Sequence, residues 1–402
     1  MKFRLLITAF ALTIISLSSC TSKEEKVKKE AADKKIRVKE DDKADSLLLV
    51  YNPKKEDKWI ADFAENLHRK YGFNGNILVA KKGKIIYQGA KGWADYLHRD
   101  SLKINSEFEL ASITKTFTGV AIMQLIEAGK LNLNDDVKKF FPNFPYDGIT
   151  VKMLLSHRSG MMNYVYFIDD IWRKEKKDMK KGISNQAVMQ VIADKKPNPY
   201  AKPDNRFHYN NSNYMVLGAI IEKISGKRYS QYMMENVFKP AGMKNTHVYS
   251  KAEYEKIPVD VVGHDRNNFK YSVAQNFLDG PVGDKGIYST IHDLVLFDKY
   301  LKNERLLTNK SLDSAYVGRN KPVNGHFNYG YGWHIKEMEG LPINTHGGSI
   351  FGFKSMGVYI PSEDIYVIGF SNCDCHSPTE VTRNIAKAAL SEVKTSSKKP
   401  YK

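Results

Sequence analysis

The sequence predicts an α/β chain of the α+β kind. One antiparallel sheet is drawn from both chain ends, flanked by helices, with a helical subdomain inserted between. Three observations predict it. A hairpin pattern lies early, in "NILVAKKGKIIYQGAKG". Strand patterns return only after Leu341, in "INTH", "FKSMGVYI" and "IYVIGFSN". Between them, apolar residues recur mainly at helical spacing. The 402 residues could hold two ordinary domains or one large one with an insertion. A hydrophobic content of 42% suffices for a substantial core.

Taken in order, residues 1–19 read as an export signal. Lys2 and Arg4 precede an apolar run from Leu5 to Leu17, too short to span a bilayer comfortably. Leu17-Ser18-Ser19-Cys20 resembles the processing site of a bacterial lipoprotein, which implies lipidation of Cys20 and a membrane anchor made of acyl chains. An ordinary secretory signal with an incidental cysteine explains the same residues. Residues 20–56 are charge-dense and aromatic-poor, hence a disordered tether. Its "SKEE" resembles the acidic export tag of surface-exposed Bacteroidetes lipoproteins. The expected location is the bacterial envelope, at the outer membrane or cell surface, or on the periplasmic side.

The globular part is expected over 57–395, with the helical subdomain at roughly 131–270 and a basic tail at 396–402. "DKWIADFAENLHRKYG" has helical spacing, and Lys82-Gly83 suits the tight turn of the hairpin. "ELASITKTFTGVAIMQLIEAGKL", Glu109 to Leu131, reads as a helix apolar nearly all round, stopped by Gly129. Asn185 to about Thr246 reads as mainly helical, with Gly226 as a stop. Pro361 to Asp364 is a turn between the last strands, and "PTEVTRNIAKAALSEV" a closing helix. Cys373 and Cys375 read as a surface turn with free or partly oxidised thiols. With His376 they lack a second ligand cluster at zinc-like spacing, so no metal is expected.

The net charge is +17, carried mostly by lysines spread along the chain. No RNA-binding signature or zinc-finger spacing accompanies it, so nucleic acid is not an expected partner. A solvated basic surface explains the charge. Contact with anionic headgroups or cell-wall polymers is compatible with export.

The chemistry centres on a lysine in a core helix. A buried ammonium is costly, and desolvation lowers its pKa. Lys115 lies three residues after Ser112, so both share a helix face at a helix N-terminus, where unpaired N–H groups favour developing negative charge. A lysine so placed can take the proton of a serine nucleophile. The spacing alone is weak. It recurs at Ser391–Lys394 and Ser396–Lys399, and a lysine snorkelling from a helix end accounts for it equally. Tyr209-Asn210-Asn211 precedes another helix. A phenol near a cationic lysine ionises more readily, and Asn211 can donate to a carbonyl and steady the lysine. His346-Gly347-Gly348 lies among the late strands, where glycines permit close backbone approach. A packed aromatic and a bulge explain the same residues.

In this order the three resemble the motifs of the penicillin-recognising serine hydrolases, Ser-x-x-Lys, Tyr-x-Asn and Lys/His-x-Gly. The resemblance is best to the branch of class C β-lactamases, D-alanyl-D-alanine carboxypeptidases and related esterases. "ITVKMLLSHRSGM", "YMVLGAIIEKISGKRYSQYMMENVFKPAGMKNT", "DKGIYSTIHDLVLF" and "YGYGW" are similar to that branch too, over roughly Asp57 to Ser391. It implies a β-lactamase/transpeptidase-like fold and a serine hydrolase without cofactor. Ser112 would form an acyl-enzyme, and Lys115 and Tyr209 would share proton transfer. Asn211 would orient the substrate and the lysine, His346 would contact the substrate or the proton network, and Gly348 and Ser349 would bind substrate, with the Ser112 and Ser349 N–H groups as oxyanion hole. The implied partner is a small molecule or peptide carrying an acyl group.

Two departures bear on the substrate. Gly347 stands where Thr or Ser is usual, which removes a hydroxyl available to a substrate carboxylate. His346 can be neutral near pH 7, unlike a lysine. Asn210 replaces the usual Ser or Ala. The implied reaction is hydrolysis of an ester or a D-amino-acid amide. The alternative is a non-catalytic lipoprotein that binds or senses wall peptides or β-lactams in the same cleft.

Overall fold

The structure is a computed structural model and describes residues 58–265, 271–320, 328–373 and 378–394. The expectations for the signal, Cys20, the tether, Cys375, His376 and the basic tail lie outside the described residues.

The sheet has seven strands: β1 (Gly75–Lys81), β2 (Lys84–Lys91), β3 (Asn328–Tyr329), β4 (His334–Met338), β5 (Leu341–Ile350), β6 (Phe353–Ile360) and β7 (Ile365–Ser371). Their spatial order is β2-β1-β7-β6-β5-β4-β3, antiparallel throughout. Sequence predicts a sheet from both chain ends, and this is it: β1 pairs with β7, from Gly75 opposite Ser371 to Lys81 opposite Ile365. Lys82 and Gly83 both take positive φ, 50° and 69°, the twist a two-residue hairpin turn requires.

Alternation along the strands separates two buried faces. On one, Ile77, Val79, Val358, Ile360, Ile365 and Val367 pack with α1 (Lys58–Tyr71) and α8 (Pro378–Lys394). On the other, Leu78, Ile368 and Phe370 are fully buried. Helix α7 (Ile291–Lys302) packs on β1 and β7, and its Phe297 stacks on Phe117 of α2 (Thr114–Glu127) at 3.9 Å between ring centres. Helix α2 is therefore sandwiched, which explains its apolar circumference.

Between the two sheet segments lie α3 (Val151–Leu155), α4 (Tyr164–Lys174), α5 (Asn185–Lys195) and α6 (Asn211–Ser225). Two differences from expectation concern the site. Helix α2 begins at Thr114, not Glu109, after a 3-10 turn over Ala111–Ile113. Residues 196–210 are irregular, because Lys196 turns left-handed and Pro197, Pro199 and Pro203 follow it. Cys373 is buried, not at the surface as expected, and it is disulfide-bonded, the oxidised one of the two thiol states expected.

The hairpin turn yields a simple check. A Cβ at Gly83 meets nothing within 4 Å, so the penalty of Gly83→Ala is conformational only. We expect a loss of about 1 kcal/mol, read as a lower urea midpoint at unchanged slope.

Candidate active site

The site is assembled around a turn clamped from several elements. Phe108–Glu109 is a short strand paired with Ile287–Ser289, and Leu110 N–H donates to the Ile287 carbonyl at 2.8 Å. Ala111 then takes φ +49°, a left-handed conformation that costs an L-residue about 1–2 kcal/mol. The turn is held against that cost. The Leu110 carbonyl accepts from Ser355 Oγ of β6 at 2.6 Å and from the Ile113 N–H at 3.1 Å. Thr116 Oγ1 donates to the Ile113 carbonyl at 2.8 Å. Strand β5 presses on the same turn through Gly348. A Cβ there would lie 2.2 Å from the Leu110 carbonyl oxygen and 2.8 Å from Ser112 N, so any larger residue would push the strand off. Ser112 thus sits, partly exposed, where the turn feeds α2.

Lys115, one turn on, has no exposed surface. Its Nζ donates to Asn211 Oδ1 at 2.9 Å and to the Asp284 main-chain carbonyl at 2.9 Å, and lies 3.0 Å from Ser112 Oγ. The geometry suits a neutral amine. Two N–H groups satisfy two oxygens that can only accept, and the lone pair is left for the Ser112 hydroxyl proton. Burial lowers the lysine pKa to about 7; the Asp284 charge opposes the shift and Lys285 adds to it.

Tyr209 also faces Ser112: the serine hydroxyl favours the ionised phenol, and Lys115 Nζ lies 5.1 Å from its ring centre. The expectation of a readily ionised phenol is corrected here. Burial pushes the Tyr209 pKa up, and the neighbouring Ser112 hydroxyl only partly offsets it. The group is a phenol, a proton donor. Asn210, an oddity in sequence, caps α6: its side chain accepts from Ser212 N at 2.9 Å and donates to the Met161 carbonyl at 2.6 Å. His157 binds the same corner. Its Nδ1 accepts from Asn210 N at 3.2 Å and from Asn213 Nδ2 at 2.9 Å, which fixes Tyr209 and Asn211 to the end of α6.

His346 is brought to the site but not into its opening. It is 3% exposed; Nδ1 donates to its neighbour Gly347's carbonyl at 2.8 Å and Nε2 accepts from Tyr329 at 3.0 Å. Burial, His334 and Lys115 hold its pKa well below the usual value, so it is neutral. His346 forms a wall beside Tyr209, 6.2 Å between ring centres. Ser349, at the exposed end of β5, accepts from Lys354 Nζ at 3.3 Å. Sequence reasoning missed Asp284, which contributes a main-chain oxygen, and missed the Asn210 cap, whose signal was an asparagine directly before an apolar helix.

Residues 60–390 match the family model for beta-lactamase. A penicillin-binding protein of Bacillus subtilis (strain 168) is 32% identical over 352 residues, covering 83% of this chain and 75% of that protein. The octameric penicillin-binding protein homologue from Pyrococcus abyssi superposes with a TM-score of 0.72 at 26% identity, covering 84% and 78% of the two chains. A D-amino acid amidase from Ochrobactrum anthropi SV3 superposes with a TM-score of 0.66, covering 83% of this chain and 98% of that one. At 21% identity that likeness is one of fold.

A base must be unprotonated to act, so the pKa of Lys115 sets a sign. As pH rises through about 7 the amine loses its proton, and kcat/KM for an activated ester should climb tenfold per unit below that point and level above it. Lys115→Met should lower the plateau by roughly 10²- to 10⁴-fold. A flat profile from pH 5 to 8 would contradict the arrangement.

Proposed function

The chain belongs to the beta-lactamase family and is a serine hydrolase, and from that premise we propose that it works through an acyl-enzyme on Ser112, with Lys115 as the base. The observation that carries this is the Lys115 amine, with two acceptors for its N–H groups and Ser112 Oγ at 3.0 Å from its lone pair. Ser112 Oγ attacks the substrate carbonyl and its proton passes to Lys115. The carbonyl oxygen gains charge, which the N–H groups of Ser112 and Ser349 stabilise. The bond to the leaving group breaks as Tyr209, a phenol, supplies the leaving group's proton and recovers one from Lys115. Water then attacks the acyl carbon, its proton following the same route, and Ser112 is restored. Asn211 keeps Lys115 aimed.

The substrate class we propose is a neutral acyl donor, an ester or a D-amino-acid amide. A buried, neutral His346 and a Gly347 without hydroxyl supply neither charge nor donor for a carboxylate beside the scissile bond. The Bacillus subtilis relative, a penicillin-binding protein, supports an acyl donor as the substrate class. Lys354 at Ser349 favours one second reading, in which a carboxylate is held at that rim instead. We further propose, from the sequence alone, that Cys20 carries a lipid anchor that keeps the enzyme in the bacterial envelope, with its substrate drawn from there.

A fluorophosphonate probe should label the wild-type chain and leave Ser112→Ala unlabelled; labelling of that variant would refute the nucleophile. A D-Ala-D-Ala peptide and its C-terminal amide separate the substrate readings. The amide should be cleaved at least about tenfold better in kcat/KM, since a carboxylate would enter without a partner. Preference for the free acid would move recognition to Lys354.

A further inference from the structure

Behind Lys115, away from the opening, lies a second buried charged group that the reaction does not use. Asp284 and Lys285 are 1% and 7% exposed, in the segment that leads into the Ile287–Ser289 strand. Asp284 Oδ2 accepts from Tyr164 of α4 at 3.1 Å, and Lys285 Nζ lies 3.4 Å from the same oxygen and is bonded to the Tyr164 hydroxyl. Burying two opposite charges side by side is weak evidence for a stability role, since desolvation cancels much of their attraction. Their placement has another use. The main-chain oxygen of Asp284 is one of the two acceptors that orient the Lys115 amine. The residue therefore touches the base through its backbone and carries a charge beside it.

We propose that Asp284 and Lys285 are positioning residues for the catalytic lysine, one fixing the carbonyl that aims Lys115 and both together balancing the charge around it. The inference rests on Lys115 being the base. The sign of each charge follows from electrostatics. The Asp284 carboxylate favours the Lys115 ammonium, and Lys285 disfavours it. Other titratable groups face this assembly: Tyr164 from α4, Glu109 and Tyr288 from the paired short strands, and Asp279 from the turn before Asp284. Burial raises Glu109 to about 8 and Asp279 to about 7, so both need controls. On the far side of Lys115, His157, His334 and His346 are held neutral by burial and by the lysine itself.

The test is the acid limb of kcat/KM against pH, measured on the whole chain with an activated ester. Asp284→Asn keeps the main-chain carbonyl and removes the negative charge, so the limb should move to lower pH. Lys285→Met leaves Asp284 unopposed, so the limb should move to higher pH. Each shift should be about one unit, tenfold in rate on the limb. Lys285→Arg should restore the wild-type position. Glu109→Gln and Asp279→Asn should retain the limb, which assigns it to Lys115. Opposite shifts are not a consequence of mere disruption. A wild-type profile with no limb near pH 7, or one abolished in either control, would defeat Lys115 as the base. A limb that stays put in both variants, or moves the same way in both, would defeat this inference alone. So would failure of Asp284→Asn to fold, which would make the pair structural; should Lys285→Met not fold, the sign seen in Asp284→Asn decides.

Discussion

The arrangement depends on keeping one amine dry. A lysine in water holds its proton far above neutrality and is useless as a base there. Lys115 is stripped of solvent by a helix that is itself sandwiched, and burial is the leading cause of its lowered pKa. Desolvation by itself would only make the residue unwelcome. Two fixed acceptors, Asn211 Oδ1 and the Asp284 carbonyl, convert an unwelcome charge into an oriented neutral group. The same dryness acts on everything nearby: it raises Tyr209 and lowers His346. One cause thus sorts the neighbourhood into an amine with a lowered pKa, a phenol with a raised one, and imidazoles held neutral.

Such a group is only as good as the frame that holds its partners. Ser112, in the 3-10 turn, and Lys115, in the helix it feeds, are three residues apart, yet Asn211, Asp284 and Gly348 arrive from three distant segments. Small polar devices fix each arrival. Asn210 and His157 set the end of α6. Tyr164 and Lys285 bind the Asp284 carboxylate. Ser355 grips the Leu110 carbonyl from across the sheet. The left-handed Ala111 shows the frame overruling local preference, since sterics alone would not choose that turn for alanine.

How much of this could be read from the chain depended on whether the signal was local. The hairpin and the late strands were legible because alternation and turn chemistry sit within a few residues, as at Lys82-Gly83. Ser112, Lys115, Tyr209, Asn211 and Gly348 were legible as residue types in order, and the structure brings them together. What stayed hidden is what burial decides. The sign of the Tyr209 shift depends on how much protein covers the ring. The retreat of His346 into the wall depends on Tyr329, seventeen positions away. The start of α2 was misjudged because the Leu110 carbonyl is shared between Ser355, 245 residues later, and the Ile113 N–H of a 3-10 turn. Asp284 was unreadable as a site residue because it acts through its main chain, which no side-chain pattern reports.

The pairing of β1 with β7 has a temporal consequence. Synthesis delivers β1 and Ser112 early, but their partners are made last: β7 for the strand, Gly348 and Ser355 for the turn. A chain still emerging from the ribosome therefore carries its serine and lysine without the surfaces that clamp the one and desolvate the other. Solvated, such a lysine keeps its proton. Contacts spanning most of the chain also close slowly. Ser112 and Lys115 thus gain the surroundings that order and desolvate them only once the late strands are made and folded.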